Sequence, residues 1–549
     1  MALHINLKVY VVGEELFVRR ASGLVRELEW YDVMLWALAT PAASGMTYYA
    51  AKMLGDPTAY GGDPVMAFFI AGLLFLPPML AFMVIATSFP RSSSLYVFVS
   101  RTLHPVLGYM SFWYFIIGGG CALASGFLAY IGIKALAGPL AVAGVLTGDP
   151  TLLSLSYAVT DPVNQLVIAL VVVVIVWLLN IFGARVLKWT VRVLVTIPLI
   201  ITIIALGGLA LAGPNAFYNN WDRVFGPGTT EAITKLAYTG SYGDVKIDQP
   251  LTKVAYWDGT MSMLLWTIWA WTGLEVVTFI GSEVKHPTKS YIKGYIGGFL
   301  GVMILYLVNA FLIPFSGNYD FLAAYSYLKM DYPDQLSAIL KGLPTPDPSV
   351  PFVVSVVLMN PAIAIIVGVA YFLWYLNTII PIWVAGVRGF FSMAFDRMLP
   401  ERLAEVSPKW ASPTWANHVM AIVALFGVLF TYLDALGSTL AAAVVSFMDF
   451  SCLFFVWPVG LALMLAPWWR PDLHKQMTWQ SKALLFTVGA LTFAIGWYFM
   501  IFTAYKELLV MLVNIIVGVV GVAIFAAMSA RNRSRGIEVE KIYYTIPPA

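Results

Sequence analysis

Ala39-Thr40-Pro41-Ala42-Ala43-Ser44-Gly45 and, about 230 residues later, Trp269-Ala270-Trp271-Thr272-Gly273-Leu274-Glu275 interrupt two hydrophobic segments, each long enough to cross a bilayer. Small residues, Gly and Pro unwind a helix, and unwound backbone carries N–H and C=O groups without helical partners. Inside a membrane only a ligand, water or neighbouring protein can satisfy such groups. Matched breaks in two halves of a polytopic chain are the pattern of a secondary transporter's substrate site.

The rest of the chain fits that setting. Of 549 residues, 60% are hydrophobic and 11% charged, against about 25% charged in soluble domains. Apolar runs near 20 residues recur, enough for helices across a hydrocarbon core of about 30 Å. No β-barrel alternation is present, so the fold expected is all-α and polytopic. The net charge of +3 implies no nucleic-acid partner, and Cys121 and Cys452 offer neither a disulfide framework nor metal spacing. The five histidines are scattered, and no metalloprotease, phosphate-loop or nucleophile-elbow motif occurs, which argues against an enzyme.

Twelve spans are expected, at 31–54, 65–88, 105–136, 163–184, 193–213, 259–282, 294–315, 362–392, 415–433, 438–466, 483–503 and 507–529. With both termini cytoplasmic, the cytoplasmic segments hold most of the 32 Lys and Arg, as the positive-inside rule requires. A multi-pass protein of the cell membrane follows, divided into an N-terminal segment 1–30, a first five-helix unit 31–213 and an external loop 214–258. A second unit, 259–466, carries an external cap 316–361; helices at 467–529 and a tail 530–549 follow. Breaks opening spans one and six suggest two inverted five-helix repeats with discontinuous helices one and six. The apolar run 351–359, ended by Asn360-Pro361, is too short to span and reads as a helix lying on the outer face.

Four further stretches resemble the amino acid–polyamine–organocation superfamily of permeases. They are Phe89-Pro90-Arg91-Ser92-Ser93-Ser94-Leu95-Tyr96 through Arg101, Gly273-Leu274-Glu275 through Gly281-Ser282-Glu283-Val284-Lys285-His286-Pro287, Arg388 through Pro408, and Asn180-Ile181-Phe182-Gly183-Ala184-Arg185. They stand in the family's order and topology. Ser93-Ser94-Leu95 replaces the family's Gly-Gly-Asp, and no basic residue follows Arg192 in the fifth span, where Pro198 stands near a lysine found in some members.

The resemblance implies an amino acid as substrate, carried by alternating access with a proton or sodium ion as the only accessory species. Backbone donors at Ala43, Ser44 and Gly45 would take the substrate carboxylate, since half-helix N-termini favour anions. Carbonyls around Trp269, Ala270, Thr272 and Gly273 would take the ammonium, with Trp269 as an aromatic lid. Glu275 stands at the family's coupling position. A carboxylate at the helix centre costs about 2.5–3.5 kcal/mol on insertion, so it needs a partner, a cavity or a proton. Asp449, which the resemblance does not explain, needs a proton, a bound cation or a positively charged substrate. Asn377 and Thr378 offer neutral oxygens for sodium or bridge neighbouring helices. Glu283, Lys285, Arg388 and Asp396 mark cytoplasmic helix ends as a candidate gate. A polyamine or organic-cation permease and a non-transporting nutrient sensor are the rival readings.

Overall fold

The computed structural model describes residues 23–504 and 508–547; residues 1–22, most of the expected N-terminal segment, lie outside it, as do the side chains of residues 42–44. The described chain is almost entirely helical, with one two-stranded hairpin pairing Ser241–Tyr242 with Val245–Lys246. Helix starts follow a repeated local rule. Asp63, Asp161 and Asn360 each precede a proline at the first helical position, and each side chain accepts two amide protons of the first turn. The cap fills orphan donors while proline occupies a position whose N–H has no partner to lose.

Ten helices among the described residues are long and apolar enough to cross a membrane. The two broken segments are not among them, because their breaks leave helices of 15 residues, Trp30–Ser44 and Tyr256–Ala270. Burial sorts the ten into two layers. Pro64–Ser88 and Pro361–Phe395 are 61% buried over their apolar windows, whereas Leu508–Ser534 is 22% buried and exposes Ile516 and Val519. Apolar side chains left outside a bundle of this length are solvated by lipid rather than by water. The inner layer therefore surrounds whatever polar groups the chain holds at mid-depth.

The breaks differ from one another. The first is a change of pitch: Trp30–Ser44 passes directly into a π-helical turn, Gly45–Tyr49. The second is a true interruption, with Gly273 at φ +114° and a 3-10 segment Leu274–Phe279 beyond it. A third break was not expected from the sequence. The span anticipated at 105–136 stops at Ile117 and restarts at Ala122. Gly118-Gly119-Gly120 is the physical reason: a β-carbon on Gly118 or Gly119 would stand 2.0 Å from Ser451 Oγ or 1.9 Å from the Met448 carbonyl oxygen.

The loops are structured. Ala216–Phe225 and Thr229–Thr239 are helices, joined through Asp222, whose carboxylate accepts from the Thr230 amide at 2.8 Å and the Gly228 amide at 3.0 Å. Val350–Leu358 is a helix, as expected, but it is buried rather than lying on a face. Phe217 and Phe225 pack their rings edge-on against Phe352 and cover it. The helix's one polar side chain, Ser355, donates to the Pro351 carbonyl within the helix, so no polar side is left to turn to solvent and its neighbours enclose it.

Candidate functional site

The breaks face a cavity of about 550 Å³ that reaches from Glu275 and Asp449 to Lys52, Asp56, Lys134 and Asp347 near the face carrying the two long loops. Trp269, Thr272, Gly273 and Glu275 line it from the sixth segment, Thr378 from the Pro361–Phe395 helix and Gly119 and Gly120 from the glycine break. Asp449 and Cys452 line it one turn apart on the Thr439–Leu453 helix. Glu275 lines the same cavity, so both acids face it.

Backbone groups freed at the breaks are largely occupied. Tyr306 donates its hydroxyl to the Pro41 carbonyl at 2.5 Å and to the Ala270 carbonyl at 2.7 Å, joining the two broken segments. Thr272 Oγ1 donates to the Trp269 carbonyl at 2.7 Å, and the Gly273 amide donates to both Glu275 carboxylate oxygens, at 3.0 and 2.9 Å. Thr378 Oγ1 donates to the Ala39 carbonyl at 3.0 Å. Small residues make this approach possible, since a β-carbon on Gly45 would stand 2.4 Å from the Tyr306 oxygen and one on Gly273 2.6 Å from Thr40 Cγ2.

Several sequence candidates therefore stand behind the cavity wall rather than on it. Gly45 and Ala270 are buried against Tyr306, and the Asn377 amide is buried with neither its oxygen nor its nitrogen hydrogen-bonded. The side chains of Ala43 and Ser44 fall outside the described residues. The uncapped helix start that does face the cavity belongs to Ala122–Ile131, whose N-terminus has no side-chain cap and follows Gly119 and Gly120. Of its first-turn amides, that of Ala124 donates to the Gly118 carbonyl at 3.3 Å and that of Ser125 to the Cys121 carbonyl at 2.9 Å, while those of Ala122 and Leu123 have no partner among the described residues. The triplet Gly118-Gly119-Gly120 was the signal for this site in the sequence.

Beyond the Glu275 end of the cavity, and outside its lining, lie two buried ion pairs. Arg388 holds Glu283 at 2.5 Å, both side chains 2% exposed, and Arg101 holds Asp396 through two contacts at 2.5 and 2.8 Å. The candidate gate thus re-sorts its members. Lys285 pairs instead with Glu29 at 3.0 Å, both about two-fifths exposed, where a contact contributes about 0–1 kcal/mol. Arg101 and its neighbour Tyr96, which also donates to Asp396 at 2.9 Å, were not singled out from the sequence. Residues 91–94 wedge between these elements: the Ser92 amide donates to Ser282 Oγ at 2.9 Å and Ser392 Oγ to the Ser92 carbonyl at 2.9 Å.

Discontinuous helices meeting at a cavity lined by charged and polar side chains, inside a shell of membrane-length helices, mark a multi-pass membrane transporter. The chain belongs to the amino acid permease family, whose description matches residues 29–529. The methylthioribose transporter of Bacillus subtilis (strain 168) is 23% identical over 415 residues, which cover 73% of this chain and 75% of that protein. The branched-chain amino acid permease BcaP of the same strain is 23% identical over 428 residues, covering 74% and 76% respectively. Family and relatives are permeases and transporters, not enzymes.

Proposed function

We propose that this chain is a secondary active transporter that carries an amino acid across the cell membrane by alternating access. In this reading the ten long helices and the two broken segments make twelve spans, arranged as two five-helix repeats and two further helices. The cavity faces outward, and the ion-paired face is cytoplasmic, as are both termini. The observation that carries the reading is one cavity lined by the interrupted sixth segment, the glycine break and two carboxylates, Glu275 and Asp449, with two buried ion pairs beyond it.

The roles follow from the chemistry of an α-amino acid. Its carboxylate suits the start of the Ala122–Ile131 helix, where the dipole and the amides of Ala122 and Leu123 favour an anion. Its ammonium suits the wall made by Glu275 and Asp449. Trp269, held edge-on by Tyr49 at 6.0 Å between ring centroids, closes over it. Glu275 couples a proton to transport, while Thr378, Asn377 and the Ala39 carbonyl are the alternative place for a sodium ion. Substrate binding shifts the equilibrium only through its different affinities for the outward- and inward-open forms, and the Arg388–Glu283 and Arg101–Asp396 pairs separate when the cytoplasmic side opens.

A second reading, an organic-cation or polyamine permease, is favoured by two acids on one cavity. The test is uptake into proteoliposomes of labelled amino acids, polyamines and methylthioribose, under separate proton and sodium gradients. Amino-acid uptake under one gradient supports the proposal and names the ion. Uptake of polyamines or of the thiosugar alone, neither of which has a carboxylate, overturns the amino-acid assignment.

A further inference from the structure

The last described residues fold back onto the ion-paired face. The Leu508–Ser534 helix is followed by Gly536 at φ +77°, a left-handed turn that reverses the chain, and by a short helix Val539–Ile542. Val539, Ile542 and Tyr543 are 4%, 6% and 5% exposed, so this segment is docked and not trailing. Beyond them three backbone carbonyls are each taken by an arginine. Tyr544 accepts from Arg470 Nη2 at 3.1 Å, Thr545 from Arg101 Nε at 3.4 Å and Pro547 from Arg91 Nε at 2.6 Å.

These contacts meet the parts that must separate for the closed face to open. Arg101 is the arginine of the buried pair with Asp396, and the Tyr543 ring lies beneath its guanidinium at 4.9 Å. The Thr545 carbonyl fills the Nε donor that the Asp396 contacts leave over. Pro547 lines the small hollow where Ser92, Ser282 and Ser392 meet, which is the seam between the 274–283 segment and the Pro361–Phe395 helix. With the tail in place, the Arg101–Asp396 pair is covered from water and the seam is plugged. Without it, one donor of a buried guanidinium loses its acceptor and water reaches the pair, which weakens the attraction between its charges.

We propose that residues 537–547 are a latch that holds the ion-paired face shut, so that opening of that face requires the tail to undock. Removing the latch increases the time the face spends open. The proposal takes the closed face to be one of two gates, as the transport reading has it, but its test does not depend on flux.

The experiment is hydrogen–deuterium exchange on the full chain, on a chain ended after Gly536 and on full-length Tyr543→Ala, all in lipid nanodiscs. The reporters are the amides of Leu28 and Lys285, which bond to the Glu283 and Leu28 carbonyls at 3.0 and 2.8 Å rather than to any group of the tail. Local opening exposes such amides while distant helices keep their protection. Severalfold faster exchange at the Leu28 and Lys285 amides in both altered chains, with Thr414–Ala435 unchanged, is the expected result. Unchanged exchange at those reporters overturns the latch. Faster exchange everywhere, Thr414–Ala435 included, also overturns it, because the tail would then support the whole fold. An amino acid that fails to be carried by the full chain would sink the transport reading and leave these exchange outcomes equally decisive.

Discussion

Glu275 folds back onto its own break: both of its carboxylate oxygens accept the amide proton of Gly273, at 3.0 and 2.9 Å. The side chain most exposed to the cost of burial is therefore also the group that satisfies a donor the interrupted helix leaves over. Glu275→Gln keeps an accepting oxygen and removes the charge. Uptake by that variant should retain substrate affinity within severalfold and lose most of its dependence on external pH. Glu275→Ala strands the Gly273 amide, at a cost of about 1–3 kcal/mol, and should lower the thermal midpoint as well. A full pH profile in the glutamine variant would remove Glu275 from the coupling step.

Tyr306→Phe tests the joint between the broken segments. It deletes one hydroxyl and leaves the Pro41 and Ala270 carbonyls without their donor. Burial of unpaired carbonyls should cost about 1–3 kcal/mol, read by thermal unfolding in nanodiscs. Uptake should fall further than the stability loss explains, because both segments lose their shared anchor. Wild-type stability and uptake together would show that water replaces the hydroxyl.

The glycine break is tested by Gly119→Ala. The added methyl would stand 1.9 Å from the Met448 carbonyl oxygen, which neither backbone can yield easily. Substrate binding measured by calorimetry should be lost in a chain that still inserts and purifies as a monodisperse species. Gly148→Ala, where no atom lies within 4 Å but φ is +67°, is the control: it strains a turn far from the cavity and should leave binding intact.

Arg388→Ala leaves Glu283 buried without its cation. Breaking one partner of such a pair costs about 3–5 kcal/mol, so the variant should be markedly less stable, and Arg388→Met with Glu283→Gln should recover much of the loss. Both forms should admit exchange at Lys285 sooner than wild type. A single variant as stable as wild type would mean that water already reaches the pair.

Outside the membrane layer, Asp222 sets a pH limit on the 216–239 unit. Burial pushes its carboxyl up, but hydrogen bonds from the Thr230 hydroxyl, the Thr230 and Gly228 amides and the Thr229 hydroxyl outweigh that, and the net shift is downward. A depressed folded-state value contributes stability above the unfolded value, about 3.9, and loses it as pH falls through the folded one. Proteolysis between Phe225 and Thr229 should accordingly accelerate only below about pH 4. Asp222→Asn should bring the same sensitivity to neutral pH.

Helix positions were legible because their signals are local. Asp63-Pro64, Asp161-Pro162 and Asn360-Pro361 mark starts within two residues, and long apolar runs carry the rest. The break at Gly118-Gly119-Gly120 was written in the chain but hidden inside a run whose hydropathy never falters. Val350–Leu358 was legible as a helix, but its burial depends on Phe217 and Phe225, more than 120 residues earlier. Pairings such as Arg101 with Asp396, 295 residues apart, follow from packing and leave no trace in spacing. Lys52, Asp56, Lys134 and Asp347 carry no shared motif or spacing in the chain, and only the fold gathers them at the cavity.

Glycines at 294 and 298 bring the Pro287–Gly317 helix so close to Val33 and Ala37 that a β-carbon on either would stand within 2.6 Å of the neighbouring side chain. The same helix carries Tyr306, whose one oxygen grips both interrupted segments. Three lengths of chain thus share a single handle. Tilting that helix must carry both interrupted segments together, so half-finished movements, with one segment shifted and the other left behind, are the conformations this architecture makes most costly.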